Sequence, residues 1–137
     1  MSAPVQQDPP PLARYTASRR AGRHVHVSGM SARTADGCAG VSMAADGTRV
    51  YDVAAQTDCV LGKIERALAS EGMGLADCVA MTCYLIDMAD YDTFNAAYAR
   101  HFPAAVPTRT CLAVAALPHP DMRVEITATA WREEEAA

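Results

Sequence analysis

The sequence predicts an α+β domain in which one mixed sheet carries both of its helices on a single face. Three observations support this class: strand patterns lie at both ends of the chain, two amphipathic helical patterns lie between them, and each helix follows a strand by a short connection. The predicted order is strand, strand, helix, strand, helix, strand, strand. At 137 residues, half of them hydrophobic, the chain is long enough for one domain with its own core.

Composition excludes several classes of partner. The net charge is -4 and no stretch combines clustered cations with aromatic residues, so no nucleic-acid partner is expected. No apolar run approaches the ~20 residues that cross a bilayer, so no membrane partner is expected either. The five cysteines contain no Cys-x-x-Cys pair, which favours reduced thiols in a cytoplasmic protein over disulfides or a zinc site.

The chain divides into one domain and two short ends. Residues 1–13 are rich in proline and lack the apolar segment of a signal peptide, which predicts a flexible arm. Residues 14–132 form the predicted domain. The acidic residues 133–137 are expected to be a solvated tail.

The first predicted strand is His24–Gly29, in which polar and apolar residues alternate. Strict alternation places His24, His26 and Ser28 on one face and the two valines on the other. Two histidines at this spacing can share a metal, but no third ligand accompanies them, so solvated histidines and no metal site are predicted. The Ser28-Gly29 pair is expected to end the strand, because glycine lets the backbone turn.

A hairpin over residues 31–47 leads to a short strand at Thr48–Tyr51 and then to the first helix. Asp52 is the predicted N-cap of this helix, and Gly72 with Gly74 are predicted to stop it. The apolar stripe that would cover the sheet consists of Val53, Thr57, Val60, Leu61, Ile64 and Leu68.

A strand over Cys78–Ile86 separates the two helices. It is apolar on both sides, which predicts burial of both of its faces. The second helix is predicted to begin at the N-cap Asp90 and to end at Pro103. Asn95 is a weak helix former inside it, so its side chain is either exposed or bound to a partner. The apolar stripe of this helix consists of Tyr91, Phe94, Ala97, Tyr98, His101 and Phe102.

The segment Pro107–Ile126 predicts two strands joined by a Pro-His-Pro turn, and it carries a cation and a carboxylate. Arg109 and Cys111 share one strand face, while the alternate residues Thr110, Leu112 and Val114 are expected to face the core. On the return strand Glu125 lies opposite the apolar Val124, Ile126 and Ala128. If both apolar sets face one core, Arg109 and Glu125 share the other face. The helices leave that face, which also carries Thr127 and Thr129, uncovered. It meets either solvent or the same face of other subunits, and the small size of the chain favours other subunits.

The chemistry of this pair admits two interpretations. The planar guanidinium of Arg109 matches a carboxylate in bidentate fashion, and Glu125 is able to position or deprotonate a water. Alternatively the two groups form a structural salt bridge, or Glu125 pairs with Arg123. From spacing alone both interpretations stay open for Arg109, whereas for Glu125 the structural pairing is the preferred interpretation. Cys111 lies beside a cation that would favour the thiolate, but no histidine is placed to activate it, so lining a cleft is its preferred role.

Five strings in order resemble the RidA/YjgF family of enamine and imine deaminases. They are Val27-Ser28-Gly29, Asp52-Val53-Ala54-Ala55-Gln56, Asn95-Ala96-Ala97-Tyr98, Pro107-Thr108-Arg109-Thr110-Cys111 and Val124-Glu125-Ile126, and the resemblance extends from Tyr15 to Trp131. Within the family, Arg19-Arg20-Ala21-Gly22, Pro107 to Thr110 and Leu117-Pro118-His119-Pro120 are similar to strings of bacterial 2-aminomuconate deaminases. The chain departs from many members at Thr127, where they carry a second acid, and at His24 and His26, where large apolar residues are common.

The resemblance implies a chorismate-mutase-like fold, a homotrimer with sites between neighbouring subunits, and no metal or organic cofactor; stacking of trimers is left open. It implies that Arg109 holds the substrate carboxylate and that Glu125 acts on the attacking water. The other positions that match the family's cleft are Tyr15, Ser28, Gly29, Asn95 and Cys111.

The implied reaction hydrolyses an enamine or imine acid to a 2-oxo acid and ammonia. The preferred substrate is 2-aminomuconate, giving 4-oxalocrotonate in aromatic degradation. Its second carboxylate needs a further cation, for which Arg19, Arg20 and His119 are the candidates. One alternative is a general 2-iminobutanoate or 2-iminopropanoate deaminase that removes reactive enamines. The alternative of another class is a non-catalytic trimeric binding or chaperone-like module.

Overall fold

A computed structural model describes residues 8–133 of the chain. Within them lie nine strands and two helices, in the order β1 (Ser18–Ala21), β2 (His24–Ser31), β3 (Arg33–Thr34), β4 (Gly37–Cys38), β5 (Val41–Met43), β6 (Arg49–Tyr51), α1 (Val53–Ala69), β7 (Cys78–Leu85), α2 (Tyr91–Ala99), β8 (Thr108–Ala113) and β9 (Val124–Trp131). Residues 1–7 of the predicted arm and 134–137 of the predicted tail lie outside the described part.

Five strands form the main sheet in the order β1-β2-β9-β7-β8. The neighbouring strands are antiparallel except for β7 and β8, which are parallel. Helix α1 packs on β2 and β9 and against α2, so both helices cover the same face. The predicted α+β class, with one mixed sheet and two helices on one face, is confirmed.

Helix α1 follows its sequence pattern closely. Every residue of the predicted stripe is buried, and the Asp52 carboxylate accepts a hydrogen bond from the Ala55 amide at 2.9 Å, as an N-cap should. The helix ends at Ala69, and Gly72 then turns the chain with a φ of 73° that favours glycine.

Helix α2 is shorter than predicted and is capped differently. It ends at Ala99, not at Pro103, and the carboxylate of Asp90 makes no cap bond. Asp90 instead accepts a hydrogen bond from Nη2 of Arg123 at 2.8 Å, so this acid links the start of the helix to the residue that precedes β9. Tyr91 is 38% exposed and does not belong to the core stripe, whereas Phe94 is fully buried.

Strand β2 confirms the alternation but not the predicted end. Val25 and Val27 are buried, and His24 and His26 are exposed with their rings stacked 6.2 Å apart. The strand continues past Gly29 to Ser31, because a shift in its pairing with β9 between Val27 and Met30 absorbs the glycine. The preceding strand β1 was not predicted from the sequence. The predicted hairpin over residues 31–47 is two small ribbons, β3 with β4 and β5 with β6.

The face of the sheet opposite the helices, here called the open face, is not covered by any layer formed by residues 8–133. Strand β7 was predicted to be buried on both faces. Its buried residues are Cys78, Met81, Cys83 and Leu85, whereas Val79 and Ala80 are exposed. The prediction was wrong for the single chain because apolar residues on the open face have nothing to pack against. No helix among the described residues is long and apolar enough to span a membrane.

Removing the α1 cap should destabilise the domain by a small, measurable amount. The Asp52→Ala substitution leaves the Ala55 amide without its acceptor, and we expect a loss of about 1 kcal/mol in the free energy of unfolding. Urea denaturation at equilibrium measures this change. Asp52→Asn is the matched control, because asparagine caps helices about as well; equal losses in the two variants would contradict the capping role.

Candidate functional site

A cavity of about 270 Å³ lies along the free edge of β2, beyond the end of β1. The chain before β1 forms one wall and helix α1 forms another. Tyr15, Gly29 and Glu125, three of the residues predicted for the site, line this cavity. The other predicted residues do not line it.

Glu125 reaches the cavity across a residue that has no side chain. A Cβ at Gly29 would lie 2.8 Å from Oε2 of Glu125, which is closer than real Cβ contacts, so the carboxylate occupies the space that glycine leaves open. Within residues 8–133 no hydrogen bond or ion pair is formed by this carboxylate, and burial raises its pKa. The Glu125 carboxylate is therefore partly buried, and no described residue binds it.

Ser28 and Tyr15 belong to the wall that closes this end of the cavity. The Ser28 hydroxyl donates to the Thr16 carbonyl at 2.6 Å, and the Ser28 amide donates to the Ala17 carbonyl at 2.9 Å. These bonds fix the segment that carries Tyr15, whose side chain is 49% exposed. Ser28 thus positions the wall, and Tyr15 offers its ring and hydroxyl to the cavity.

Arg109 lies under α2, among aromatic rings. Its Cζ is 5.0 Å from the ring centre of Tyr98, 5.4 Å from that of Phe94 and 5.8 Å from that of Tyr91. One guanidinium nitrogen donates to the Tyr91 hydroxyl at 3.3 Å, and among the described residues no carboxylate pairs with Arg109. The rings hold the cation in place while leaving its charge without a counterion.

Arg109 and Glu125 do not share a face of the sheet, and that prediction was wrong. Strand pairing sets Arg109 beside Met81 on the helix side, whereas Glu125 pairs with Tyr84 on the open face. The two residues are two strands apart and three residues apart along the strands, roughly 10 Å in each direction. Neither a salt bridge between them nor a common ligand within one chain is possible at this separation.

The prediction of which β8 residues face the core was also wrong. Thr110 and Leu112 are exposed on the open face, and Cys111 packs against the core. Burial raises the pKa of the Cys111 thiol, and the neighbouring Arg109 opposes that effect only in part. The cation does not make Cys111 a thiolate at neutral pH, which agrees with a lining role.

Asn95 on α2 has an unusual amide. Its Oδ1 is buried and has no hydrogen-bond partner in the part of the chain that the structure describes. The sequence predicted that the Asn95 side chain is either exposed or bound to a partner, but this oxygen is neither. A buried acceptor without a donor costs free energy, so a donor from outside the chain would stabilise it.

The cations proposed for a second carboxylate lie elsewhere. Arg20 forms an ion pair with Glu71 at 3.1 Å, and Arg19 is exposed on β1. Nδ1 of His119 accepts from the Asp121 amide at 3.0 Å and lies 3.8 Å from Sγ of Cys38. Within the described chain these three residues contribute nothing to the cavity that contains Glu125.

Three other cations line that cavity and were missed in the sequence: Arg33, Lys63 and Arg66. Lys63 lies on the buried side of α1, where a lysine is unexpected, and that position was the available signal. Arg33 and Arg66 carry no such signal, because only the fold brings them beside β2. Within residues 8–133 no three histidine, cysteine or acidic side chains lie together as a metal site would require.

Comparison with known proteins identifies relatives of this chain. The family profile described as Endoribonuclease L-PSP matches residues 5–132. The 3-aminoacrylate deaminase RutC of Acinetobacter baylyi is 37% identical over 122 residues, which cover 89% of this chain and 90% of the relative.

Solved structures agree over nearly the full length. Yeast Mmf1 superposes with a TM-score of 0.78 at 27% identity, covering 96% of this chain and 98% of that chain. The structure of Escherichia coli TdcF with bound serine superposes with a TM-score of 0.78 at 28% identity, covering 95% of this chain and 97% of that chain.

The contact between Gly29 and Glu125 can be tested directly. The Gly29→Ala substitution places a methyl group where the carboxylate lies, so we expect the Glu125 side chain to move while the fold is kept, since the clash is with the end of a flexible side chain. A crystal structure and the ¹³C chemical shift of the Glu125 carboxyl report the movement. Gly74→Ala is the control, because a Cβ there meets nothing within 4 Å. An unmoved carboxylate in Gly29→Ala would refute the contact.

Proposed function

The chain belongs to the RidA/YjgF family, whose profile is described as Endoribonuclease L-PSP, and on that premise we propose that it is an enamine/imine deaminase. The observation that carries the proposal is the Glu125 carboxylate, which lines a cavity beside Gly29 and Tyr15 with no partner in the described chain. A carboxylate without a structural role, in a cavity of substrate size, is suited to act on a bound water.

Arg109 is the group proposed to bind the substrate carboxylate. Its guanidinium has no carboxylate partner among residues 8–133, and the rings of α2 keep it oriented. A planar fork of N–H donors matches a carboxylate in two parallel hydrogen bonds. Binding there would fix C2 of an imino acid relative to the attacking water.

The reaction proceeds by hydrolysis. An enamine first tautomerises to the imine. Water then adds to C2 while Glu125 takes one of its protons and passes it to the imine nitrogen, which gives the carbinolamine. The C2–N bond breaks as Glu125 transfers the proton of the C2 hydroxyl to the nitrogen, which leaves as ammonia, and the C2=O bond of the 2-oxo acid forms. Water replaces ammonia with no change in oxidation state, so the proposed reaction needs no redox cofactor.

We propose that the two groups meet across a subunit boundary in a homotrimer. The support is their placement within one chain, where they lie on opposite faces of the sheet. Two further features agree: apolar residues of the open face lack a cover, and the Asn95 oxygen lacks a donor. Arg109 of one subunit would then face Glu125 of its neighbour.

The substrate proposed is 2-aminomuconate, converted to 4-oxalocrotonate in the cytoplasm. The support is the set of strings at residues 19–22, 107–110 and 117–120. The second candidate is a small monocarboxylate imine such as 2-iminobutanoate, and it is favoured by the similarity to RutC, a relative named for a substrate with a single carboxylate. Assays of both substrates in parallel distinguish the two.

Removing either proposed group should abolish most of the activity. We expect Arg109→Ala and Glu125→Ala each to lower kcat/KM by about 100-fold or more, since one binds the substrate and the other transfers a proton. Ammonia release from freshly generated 2-aminomuconate and 2-iminobutanoate measures this. Arg100→Ala and Glu65→Gln, on the surfaces of the helical layer, are the controls. No ammonia release above buffer by the wild-type protein would instead favour a non-catalytic module.

Mixed oligomers test the shared site. Neither single variant is expected to be active, but a coexpressed mixture of Arg109→Ala and Glu125→Ala chains should regain about a quarter of the wild-type sites, because some boundaries then join two intact residues. The coexpressed sample is compared with the two variants mixed after separate purification and assayed before subunits exchange. If the coexpressed sample remains inactive, the two residues do not act across a boundary.

The pKa of Glu125 provides an independent test. Burial raises the pKa of this carboxyl within one chain, and a neighbouring subunit's Arg109 would lower it by favouring the charged form. We therefore expect Arg109→Met to raise the pKa of Glu125 in the assembled protein, which moves the low-pH loss of the ionised base to higher pH. A ¹³C NMR titration of the Glu125 carboxyl measures this. An identical pKa in wild type and variant would mean that the two groups never approach.

A further inference from the structure

We infer that Arg33 and Lys63 form an anion subsite in the cavity that Glu125 lines, which selects imino acids that carry a second carboxylate. This inference rests on the proposed function, since it assumes that the reacting end of the substrate lies at Glu125. It names two residues that differ from the cations suggested by the sequence.

Lys63 is the first part of the subsite. Its side chain lines the cavity although the residue is only 7% exposed, and its ammonium donates to the Arg33 carbonyl. Lys63 forms no ion pair with a carboxylate in the described chain, although the Asp8 carboxylate, which also lines the cavity, attracts it from a longer range; burial lowers the pKa of Lys63 by more than this attraction raises it. A buried ammonium that donates, among the described residues, to one neutral carbonyl retains unused N–H donors, and a bound anion would satisfy both those donors and its charge.

Arg33 is the second residue of the subsite, whereas Arg66 lines the same cavity but has a carboxylate partner. The Arg33 guanidinium donates to the Pro10 carbonyl, a neutral acceptor, so its charge has no counterion among residues 8–133. Arg66 lines the same wall, but its guanidinium makes two bonds to the Asp8 carboxylate, at 2.8 and 3.0 Å. The charge of Arg66 is already compensated, so the subsite consists of the other two cations.

Glu125 and the two cations line one cavity without binding one another. Among the described residues Lys63 donates to the Arg33 carbonyl and Arg33 to the Pro10 carbonyl, and Glu125 forms no ion pair with either cation. A ligand that spans the cavity would put its imine carbon at Glu125 and its far carboxylate at the cations. The volume of 270 Å³ equals about nine water molecules, enough for an acid of roughly ten non-hydrogen atoms.

Binding of unreactive acids tests the subsite without relying on catalysis. Adipate and hexanoate have the same chain length but two carboxylates and one, respectively, and isothermal titration calorimetry gives the Kd of each for the full-length protein. We expect adipate to bind about 10- to 100-fold more tightly, because charged hydrogen bonds form only with its second carboxylate. In Arg33→Gln and in Lys63→Met the ratio should fall towards one. Arg20→Gln is the matched control, since its ion pair with Glu71 lies outside the cavity, and should keep the ratio.

The outcomes separate this inference from the proposed function. Equal affinity for the two acids in the wild type, no adipate binding at millimolar concentration, or loss of the preference in Arg20→Gln would overturn the subsite. If Lys63→Met fails to fold by circular dichroism, the exposed end of the pair is still tested by Arg33→Gln. A preference for the dicarboxylate without ammonia release from any imine would support the subsite and refute the deaminase activity. Ammonia release without that preference would support the deaminase activity and refute the subsite.

Discussion

The alternation of side chains across the five-stranded sheet, combined with the register of the parallel β7–β8 pair, is the constraint on which the site depends. Because paired residues of neighbouring strands point to the same side, Met81 takes Arg109 to the helix side and Tyr84 takes Glu125 to the open face. A slip of one residue in either pairing would exchange the faces. The register therefore sets the cation and the acid on opposite faces of the sheet, so they do not contact each other within one chain.

Much of the fold follows from periodicity, and its errors have physical causes. Alternation tells which residues of a strand share a face, but not which face is inward. For β8 the apolar Leu112 suggested the wrong side, because β8 is an edge strand and its inner cover is a set of aromatic rings that accommodate a guanidinium. Likewise Gly29 suggested a strand end, whereas the pairing shift lets the strand continue and leaves room for Glu125.

The site was predictable only in part. Tyr15, Gly29 and Glu125 come together in one cavity as their resemblance to a family implied, while the expected second cations have partners or positions elsewhere. Arg33 and Lys63 are separated by 30 positions, and nothing local in the sequence joins them. Their proximity depends on how the end of β2 passes over α1, which is a tertiary contact. The positions of these charges in the cavity therefore could not be predicted from sequence patterns.

The burial of the five cysteine thiols affects how readily they react with alkylating agents and peroxides. Burial raises the pKa of every one of these thiols, to about 11 at Cys78 and about 12 at Cys83. Thiolates, not thiols, react with alkylating agents and peroxides. At neutral pH the five cysteines therefore offer few thiolates to alkylating agents and peroxides.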